Sequence, residues 1–463
     1  MADPDAPNIL LILTDDQRFD ALGCLGRLAV QTPNLDRLVA RGTRFSGAHI
    51  MGGTSPAVCM PSRAMLHSGR PLFHLDREGQ AIPDEHATLG QTLAAHGYDT
   101  WACGKWHNGK PAFARSFTDG AEVFFGGMTD HWNVPAHDFD PTGAYDNQLP
   151  RCPEPARSNA LQWTNADHVH AGLHSTDLLA DAAARFLRSR SPNDAKPFFQ
   201  YVSLLAPHDP RTMPQRYLDL YDPDRIELPP NFLPVHPFDN GELAIRDEQL
   251  AAMPRTEAET RRHLAEYCAM VSHLDDALGR VLDTLDAQGL ADNTLVVFAG
   301  DNGLAVGQHG LMGKQSLYDH SVRVPLVFAG PGVAEGQTRR NLCYLHDLMP
   351  TLCDLLGLQA PDSVMGRSLA ADLASDADGL ADAAPDALLL AYRHLMRGLT
   401  TGSHKLIEYH VDGRRRTQLF DLEADPWEMH DLADDPAHAD RLAAMREQLA
   451  AARRHDADPH PWT

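Results

Sequence analysis

The sequence has little basic charge. Its 463 residues include 40 Lys and Arg against 63 Asp and Glu, a formal net charge of −23. Non-specific binding to nucleic acid or to an anionic membrane requires an excess of basic residues. We therefore expect no nucleic acid and no membrane among the partners. An anionic substrate would have to be bound by a local group of cations.

Paired cysteines and long apolar runs are also lacking. The seven cysteines are odd in number, scattered and without a C-x-x-C pair, which argues against a disulfide framework and against a zinc site. The apolar run near the N-terminus, NILLIL, is too short for a signal peptide or a membrane span. These absences predict a cytoplasmic protein, or a periplasmic or secreted one if a leader has been removed. The sequence carries no signal for the oligomeric state.

What the sequence does contain is an alternation of apolar strand patterns and helical patterns. Strands are predicted at 8–14, 98–103, 198–205, 294–299 and 324–329, with helices at 33–42, 60–69, 88–97, 175–190, 256–289 and 347–356. This pattern is typical of an α/β fold with a large doubly wound mixed sheet sandwiched by helices, predicted over residues 1–375. Short strands at 388–392, 405–409 and 418–422 and a helix at 441–454 predict a smaller C-terminal α+β subdomain over 376–463, with an antiparallel sheet.

The string CMPSR at 59–63 combines a cysteine with a helix start. Pro61 suits the first turn of a helix, and Gly69 suits its end, so Cys59 is predicted just outside the N-terminus. That end of a helix favours an anion, and Ser62 and Arg63 add further donors. A lone cysteine is more often a small buried apolar residue. Here its surroundings indicate a nucleophile.

Four of the predicted strands end in polar strings, DDQR, GKWH, APHD and GDNG. Each string alone is typical of a loop, but ligands of open α/β sheets bind at the carboxyl ends of the strands. Asp15, Asp16, Asp301 and Asn302 offer only oxygen atoms, which suits a hard cation. Ca²⁺ fits best, with Mg²⁺ as the runner-up.

These strings and the C-x-P-S-R motif followed by S-G-R resemble the type I sulfatase family of the alkaline phosphatase-like superfamily. The resemblance implies that a formylglycine-generating enzyme converts Cys59 to formylglycine, whose hydrated aldehyde attacks sulfur. It implies metal ligation by Asp15, Asp16, Cys59, Asp301 and Asn302. It also implies catalytic roles for Cys59, Arg63, Lys105, His107, His208 and Lys314. Cys59 is the nucleophile position, Arg63 activates it, and Lys105, His107, His208 and Lys314 are expected as cations around the substrate anion, with proton transfer by His107 and by His208 or Lys314.

The substrate is less determined by the sequence. A His-, Trp- and Asp-rich insertion at 126–142 and Arg211 suggest a sulfated carbohydrate or other small alcohol, with Arg211 available for a carboxylate. His131, Trp132 and His309 are further candidates for substrate binding, although a structural role for His309 is equally open. Two alternatives remain: a phosphonate monoester or phosphodiester hydrolase of the same superfamily, and a noncatalytic protein that binds sulfated sugars.

Overall fold

The computed structural model of the chain describes residues 6–374 and 384–461. Within the first range, eight strands form one large sheet: β1 (Asn8–Thr14), β2 (Gly42–His49), β3 (Asp99–Lys105), β4 (Asp119–Phe124), β5 (Phe198–Ser203), β6 (Thr294–Gly300), β7 (Leu326–Ala329) and β8 (Gln337–Tyr344). Their spatial order is β8-β2-β7-β6-β1-β5-β3-β4. β7 runs antiparallel to both its neighbours, whereas the other pairings are parallel. The predicted mixed sheet is therefore confirmed.

Helices cover both faces of this sheet. The helices are α1 (Pro33–Ala40), α2 (Cys59–Ser68), α3 (Leu89–Ala95), α4 (Lys110–Ser116), α5 (Ser175–Arg188), α6 (Gln215–Leu218), α7 (Glu257–Ala287), α8 (Asp319–Val322), α9 (Leu348–Leu355), α10 (Ala370–Ala374) and α11 (Ala439–His455). Alternate side chains of β1 pack into two hydrophobic cores, one on each face of the sheet. Leu11 packs with α2, α3 and α9 on one face, and Ile12 packs with α1, α5 and α7 on the other. Because both faces are buried, β1 is apolar throughout, as its sequence indicated.

A smaller antiparallel sheet lies between residues 384 and 461. It contains β9 (Leu388–Tyr392), β10 (Met396–Thr400), β11 (His404–Val411) and β12 (Arg414–Asp421), and Met445 and Leu449 of α11 pack against it. Gly52–Gly53 pairs in parallel with β9, so the sheet also takes residues from the N-terminal part. The predicted domain boundary at 375/376 lies outside the described residues and stays a prediction.

The sequence missed four of these strands. β2, β4, β8 and β10 carry Arg, Ser, Gly or Asp among their apolar residues, which breaks the continuous run typical of a buried strand. α2 begins at Cys59 itself, not one residue later, so Pro61 is its third residue. The missing N–H of Pro61 is still one of the four that the first turn leaves without a partner.

Two short two-stranded sheets organise the segment between β4 and α5. Pro135–Ala136 pairs with His168–Val169, and Gln148–Arg151 pairs with Gln162–Asn165. Among the residues that the structure describes, no helix combines the length and the apolarity needed to cross a membrane.

The four strands whose ends carry polar strings are neighbours in the large sheet, in the order β6-β1-β5-β3, and they run parallel. Their carboxyl ends therefore lie at one edge of the sheet. This arrangement brings together side chains that are distant in the sequence. For example, Asn302 Nδ2 donates to Asp16 Oδ1 from 286 positions away.

Candidate active site

Arg63 is the residue on which the buried part of the site is built. It lies in the first turns of α2 and its side chain is fully buried. Its Nε donates to Asp301 Oδ2 at 2.8 Å, and its Nη1 donates to the Lys105 carbonyl at 3.0 Å and to Ser203 Oγ at 2.5 Å. Arg63 thus fixes the ends of β6, β3 and β5 relative to α2 through charge-assisted and neutral hydrogen bonds.

Cys59 faces two of the predicted catalytic residues. Its Sγ lies 3.4 Å from Lys105 Nζ and 3.6 Å from His107 Nδ1. Lys105 Nζ also donates to Asp15 Oδ2. Gly104 allows this arrangement, because a Cβ at that position would lie 1.9 Å from the Ser203 carbonyl oxygen, and its φ is +86°.

The other two predicted cations lie around Asp16. Lys314 Nζ donates to Asp16 Oδ1 at 2.5 Å, and His208 Nε2 lies 3.7 Å from Asp16 Oδ2. Asp16 and His107 both have left-handed backbone conformations, with φ of 64° and 74°. Such strain in residues other than glycine is typical of functional sites, where the surrounding structure enforces it.

The oxygen atoms at this edge fit a hard cation. Side-chain atoms of Asp15, Cys59 and Asp301 lie within 4.8 Å of one another, as do those of Asp15, Asp16 and His208. Asp15 Oδ1 and Asn302 Oδ1 are buried and accept no hydrogen bond from any described residue. Buried oxygens without donors are costly unless a ligand satisfies them. Carboxylate and amide oxygens are also what Ca²⁺ and Mg²⁺ select.

Burial and neighbouring charges change the ionisation of the site. Burial raises the pKa of the Cys59 thiol, although Lys105 and Lys314 oppose it, so an unmodified Cys59 is held as a neutral thiol. Burial raises the pKa of Asp301 to about 6, and the Asp15 carboxylate adds to the rise. Burial, and then Lys105, lowers the pKa of His107 to about 2. His107 is therefore a neutral imidazole and not the cation expected from the sequence.

The candidate substrate residues fall into three environments. His131 is buried, and its Nε2 lies 2.9 Å from the His208 carbonyl oxygen, so it supports the His208 backbone. Trp132 packs edge-on against His174. Arg211 Nη1 contacts His263 Nδ1 at 2.7 Å, while its buried Nε and Nη2 have no hydrogen-bond partner among the described residues.

His309 lies in a different environment. Its ring stacks on Tyr318 with centroids 3.9 Å apart, and its Nε2 lies 3.0 Å from the Glu428 carbonyl oxygen. These contacts give His309 the structural role that the sequence left open. A role in substrate binding stays a prediction for His131, Trp132, Arg211 and His309.

Several supporting residues lie outside the predicted catalytic and metal-binding set. Ser203 ends β5 and accepts from Arg63, and Ser62 Oγ donates to the Asp301 carbonyl at 2.5 Å. Tyr267, in the middle of α7, donates to the Asp16 carbonyl and accepts from the Arg18 N–H, both at 2.9 Å. Ser203 could have been found from the sequence, because it is a polar residue at the carboxyl end of a predicted strand, like the predicted site residues. Tyr267 could not, because nothing in a helical pattern indicates which residue reaches the sheet edge.

Comparison with known proteins decides the family. The sulfatase family model matches residues 7–358, about three quarters of the chain and all four strand ends. The chain belongs to the sulfatase family. A second model, the C-terminal region of N-sulphoglucosamine sulphohydrolase, matches residues 307–455. The family predicted from the CMPSR string and the strand ends is thereby confirmed, and the protein is a sulfuric ester hydrolase.

Individual sulfatases match over most of the chain. An ulvan-active sulfatase of Formosa agariphila is 29% identical over 94% of this chain and 78% of its own length. An N-acetylglucosamine-6-O-sulfatase of Bacteroides thetaiotaomicron is 24% identical over 98% and 88%. The structure of BT4656 in complex with D-glucosamine-2-N,6-O-disulfate superimposes with a TM-score of 0.77 at 22% identity, covering 98% and 99% of the two chains.

The same fold also serves other esters. A phosphonate monoester hydrolase of Agrobacterium radiobacter superimposes on this sulfatase with a TM-score of 0.75 at 21% identity, covering 97% and 96% of the two chains. At this identity the likeness concerns the fold alone.

Proposed function

We propose that this sulfatase hydrolyses a sulfate monoester of a carbohydrate or other small alcohol, using formylglycine at position 59 and Ca²⁺. The observation that carries the proposal is the placement of Cys59 at the start of α2, within 3.6 Å of both Lys105 Nζ and His107 Nδ1. A neutral thiol surrounded by oxygen-bearing residues suits neither thiolate attack nor ligation of a hard cation. An oxygen nucleophile made from Cys59 would suit both.

The cation would be held by Asp15, Asp16, Asp301 and Asn302, together with the modified residue 59. These residues supply the oxygen donors and the two unpartnered buried oxygens described above. When bound, a divalent cation supplies charge stabilisation to the sulfate oxygens. Ca²⁺ is preferred to Mg²⁺ because it accepts more oxygen ligands in less regular geometries.

Formylglycine, once formed by a formylglycine-generating enzyme, supplies a hydrated aldehyde with one hydroxyl for attack and a second for release of sulfate. Around it, the residues of the chain bind the dianion and move protons. Arg63 holds Asp301 in place to accept the proton of the attacking hydroxyl. His107, a neutral imidazole beside position 59, accepts the proton of the second hydroxyl.

The leaving oxygen is protonated from the other side of the site. Lys314 and His208 both contact Asp16, and either could donate to the alkoxide as the S–O bond breaks. Lys105 and Lys314 also supply fixed positive charge to the sulfate, and donors of this kind are each worth about 10² to 10³ in rate.

The support for a carbohydrate substrate has two parts. Relatives of this chain are an ulvan-active sulfatase and an N-acetylglucosamine-6-O-sulfatase. In the chain itself, Arg211, three residues after His208, has two buried nitrogens without hydrogen-bond partners among the described residues, which suits a carboxylate or a second sulfate of a sugar.

Hydrolysis of a phosphonate monoester or phosphodiester is the second candidate. It is favoured by the 27% identity over 97% of this chain to the multifunctional alkaline phosphatase superfamily protein PehA of Trinickia caryophylli. The two candidates share the nucleophile and the cation, so the test must compare substrates.

The experiment is a turnover screen of sulfated mono- and disaccharides, sulfated small alcohols, aryl sulfates and aryl phosphodiesters, with Cys59→Ala as control. Intact-mass analysis of the same sample measures the conversion of Cys59. A sulfated sugar is expected to have the highest kcat/KM of the substrates tested. The activity of each sample is expected to be proportional to its formylglycine content. Full activity of protein with an unmodified Cys59 would refute the mechanism. Lack of any turnover by fully converted protein would favour a sulfated-sugar binding protein.

A further inference from the structure

A second group of metal-binding side chains lies at the outer edge of the large sheet. Glu122 belongs to the edge strand β4, and His168 and His170 belong to the insertion between β4 and α5. One ligand atom of each of the three lies within 4.8 Å of the others. The group shares no residue with the sulfatase site described above.

Both histidines face the Glu122 carboxylate, one at each oxygen. His168 Nε2 is hydrogen-bonded to Glu122 Oε2 at 2.8 Å, and His170 Nε2 lies 3.3 Å from Glu122 Oε1. Zn²⁺ binds His nitrogen and carboxylate oxygen at about 2.0 to 2.2 Å, so tetrahedral ligand atoms lie about 3.3 to 3.5 Å apart. A small outward movement of His168 would accommodate the ion.

The backbone positions all three side chains towards one point. Glu122 is the extra residue of a β-bulge opposite Cys103 and Gly104, with φ of 53° and a side chain that is 8% exposed. A bulge redirects a side chain relative to the regular strand. His168 and His170 are two residues apart at a short strand and therefore point to the same side.

Two further charged side chains lie beside these ligands. His168 directs Nε2 to Glu122, and its Nδ1 lies 3.9 Å from Asp138 Oδ2, longer than a hydrogen bond. A carboxylate that hydrogen-bonds the second ring nitrogen orients a histidine ligand, and Asp138, which is 79% exposed, would have to move closer to act in this way. Arg185 lies 3.8 Å from Glu122 Oε1, but its side chain is 57% exposed and can turn towards solvent when a cation binds.

We propose that Glu122, His168 and His170 form a binding site for a borderline divalent transition-metal ion, with Zn²⁺ as the preferred ion and water as the fourth ligand. Two imidazoles and one carboxylate select Zn²⁺ over Ca²⁺ or Mg²⁺. The ion joins the edge strand β4 to the insertion, which also contains His131, the support of the His208 carbonyl. Because the ion would link these two segments of chain, it is expected to stabilise the insertion.

The test uses tag-free, full-length protein that has been treated with a chelator and desalted. Co²⁺ is added as a spectroscopic probe, because a tetrahedral site with nitrogen ligands gives an intense visible absorption that an oxygen-only site of higher coordination number does not. Zn²⁺ is then titrated to displace the Co²⁺. The wild type is expected to show one tetrahedral Co²⁺ per chain and displacement by one equivalent of Zn²⁺.

The main variant is His170→Asn, at a side chain that is 45% exposed and unimportant for the core. It is expected to lose the tetrahedral absorption and at least about 100-fold in Zn²⁺ affinity. The matched control is His430→Asn, which removes another histidine that pairs with a carboxylate, at 3.3 Å from Asp425, and leaves the absorption unchanged.

Thermal unfolding gives a second measurement. Zn²⁺ is expected to raise the Tm of the wild type and of His430→Asn by several degrees at saturating concentration, and not that of His170→Asn. Absence of tetrahedral Co²⁺ from the wild type, or an equal absorption and Tm shift in His170→Asn, would overturn the proposal.

Discussion

Two of the buried charge clusters in this sulfatase, a candidate catalytic cluster and a second one, differ in what pairs with their charged atoms. The catalytic cluster at the edge of the large sheet contains Asp15 and Asn302, each with a buried oxygen that accepts no hydrogen bond among the described residues. The second cluster joins the large sheet to the small one. There, Lys405 Nζ contacts Asp319 and lies 2.7 Å from Glu428 Oε1.

The second cluster pairs its charges internally. Asp319 also pairs with Arg323 at 3.1 Å, and its N–H donates to Glu428 Oε2 at 2.8 Å. Opposite charges therefore face one another across three segments of chain, although Glu428 Oε1, 2.7 Å from Lys405 Nζ, accepts no hydrogen bond of regular geometry among the described residues. In the candidate catalytic cluster, Asp15 Oδ1 and Asn302 Oδ1 accept no hydrogen bond among the described residues, and side-chain atoms of Asp15 and Asp301 lie within 4.8 Å of Cys59 Sγ at a helix start. Buried charge alone does not identify an active site, whereas unpartnered oxygens that suit a cation, close to a candidate nucleophile, favour one.

The largest loss of activity is expected when the proposed nucleophile of the candidate catalytic cluster is replaced. Cys59→Ala is expected to lower kcat/KM by about 10⁴-fold or more, because the covalent step is lost, while Tm changes by no more than a few degrees. Steady-state kinetics and thermal unfolding measure the two effects. Cys103→Ala is the matched control, because it removes a buried cysteine from a strand of the same sheet, whose Sγ lies 3.7 Å from the Leu179 carbonyl oxygen. Equal losses of activity in the two variants would contradict the assignment.

The structural cluster is tested by Lys405→Met. This change leaves Asp319 and Glu428 buried without their shared cation, so the free energy of unfolding is expected to fall by about 3 to 5 kcal/mol. The kcat/KM of the folded fraction stays within about twofold. Denaturant unfolding provides the measurement. Lys196→Met, at a lysine that is 63% exposed, should cost no more than about 0.5 kcal/mol. A loss of activity with unchanged stability would show that Lys405 acts in catalysis and not in stabilising the fold.

Lys314→Met sharpens the comparison, because Lys314 is also a buried lysine paired with a carboxylate. Loss of a charge at the sulfate is expected to lower kcat by about 10²-fold. Any loss in Tm should be recovered by Ca²⁺, since a cation that binds the native state compensates for the charge removed beside Asp16. Ca²⁺ should not rescue the Tm of Lys405→Met. Rescue of both variants, or of neither, would remove the proposed difference between the clusters.

The smallest effect is expected at Arg211. Arg211→Ala should raise KM about tenfold for a sulfated uronic acid and leave KM for an aryl sulfate unchanged, because the aryl ester has no second anion for the unpartnered nitrogens. Initial-rate kinetics on both substrates measure the ratio. Arg262→Ala is the control, since Arg262 contacts the same His263 at 3.1 Å from a side chain that is 50% exposed. Equal changes for the two substrates would exclude the role.

Much of the fold followed from local patterns. Central strands such as β1 and β6 are buried on both faces, so their residues are apolar throughout and easily recognised. Edge and mixed strands such as β8 and β10 were missed because their side chains are partly polar or small. The helix boundaries were close to the prediction where a cap is present; Thr88, for example, accepts from the Gln91 N–H at the start of α3.

The sequence by itself was enough to predict the family and a set of candidate catalytic and metal-binding residues. Metal-binding and catalytic residue types follow the ends of predicted strands, and parallel strands bring their carboxyl ends to one edge, so Asp15, Lys105, His208 and Asp301 could be grouped without coordinates. The CMPSR string at the start of a helix indicated the nucleophile and the family. These inferences depend on spacing along the chain, which a sequence contains.

Only the tertiary structure decided which polar groups remain without partners. It stacked His309 on Tyr318, made His107 neutral through burial, and left two buried nitrogens of Arg211 without a hydrogen-bond partner among the described residues. It also brought Glu122 beside His168 and His170 through a β-bulge. The physical reason is that burial, desolvation and hydrogen-bond satisfaction depend on all the neighbours in space, and most of those neighbours are distant in sequence.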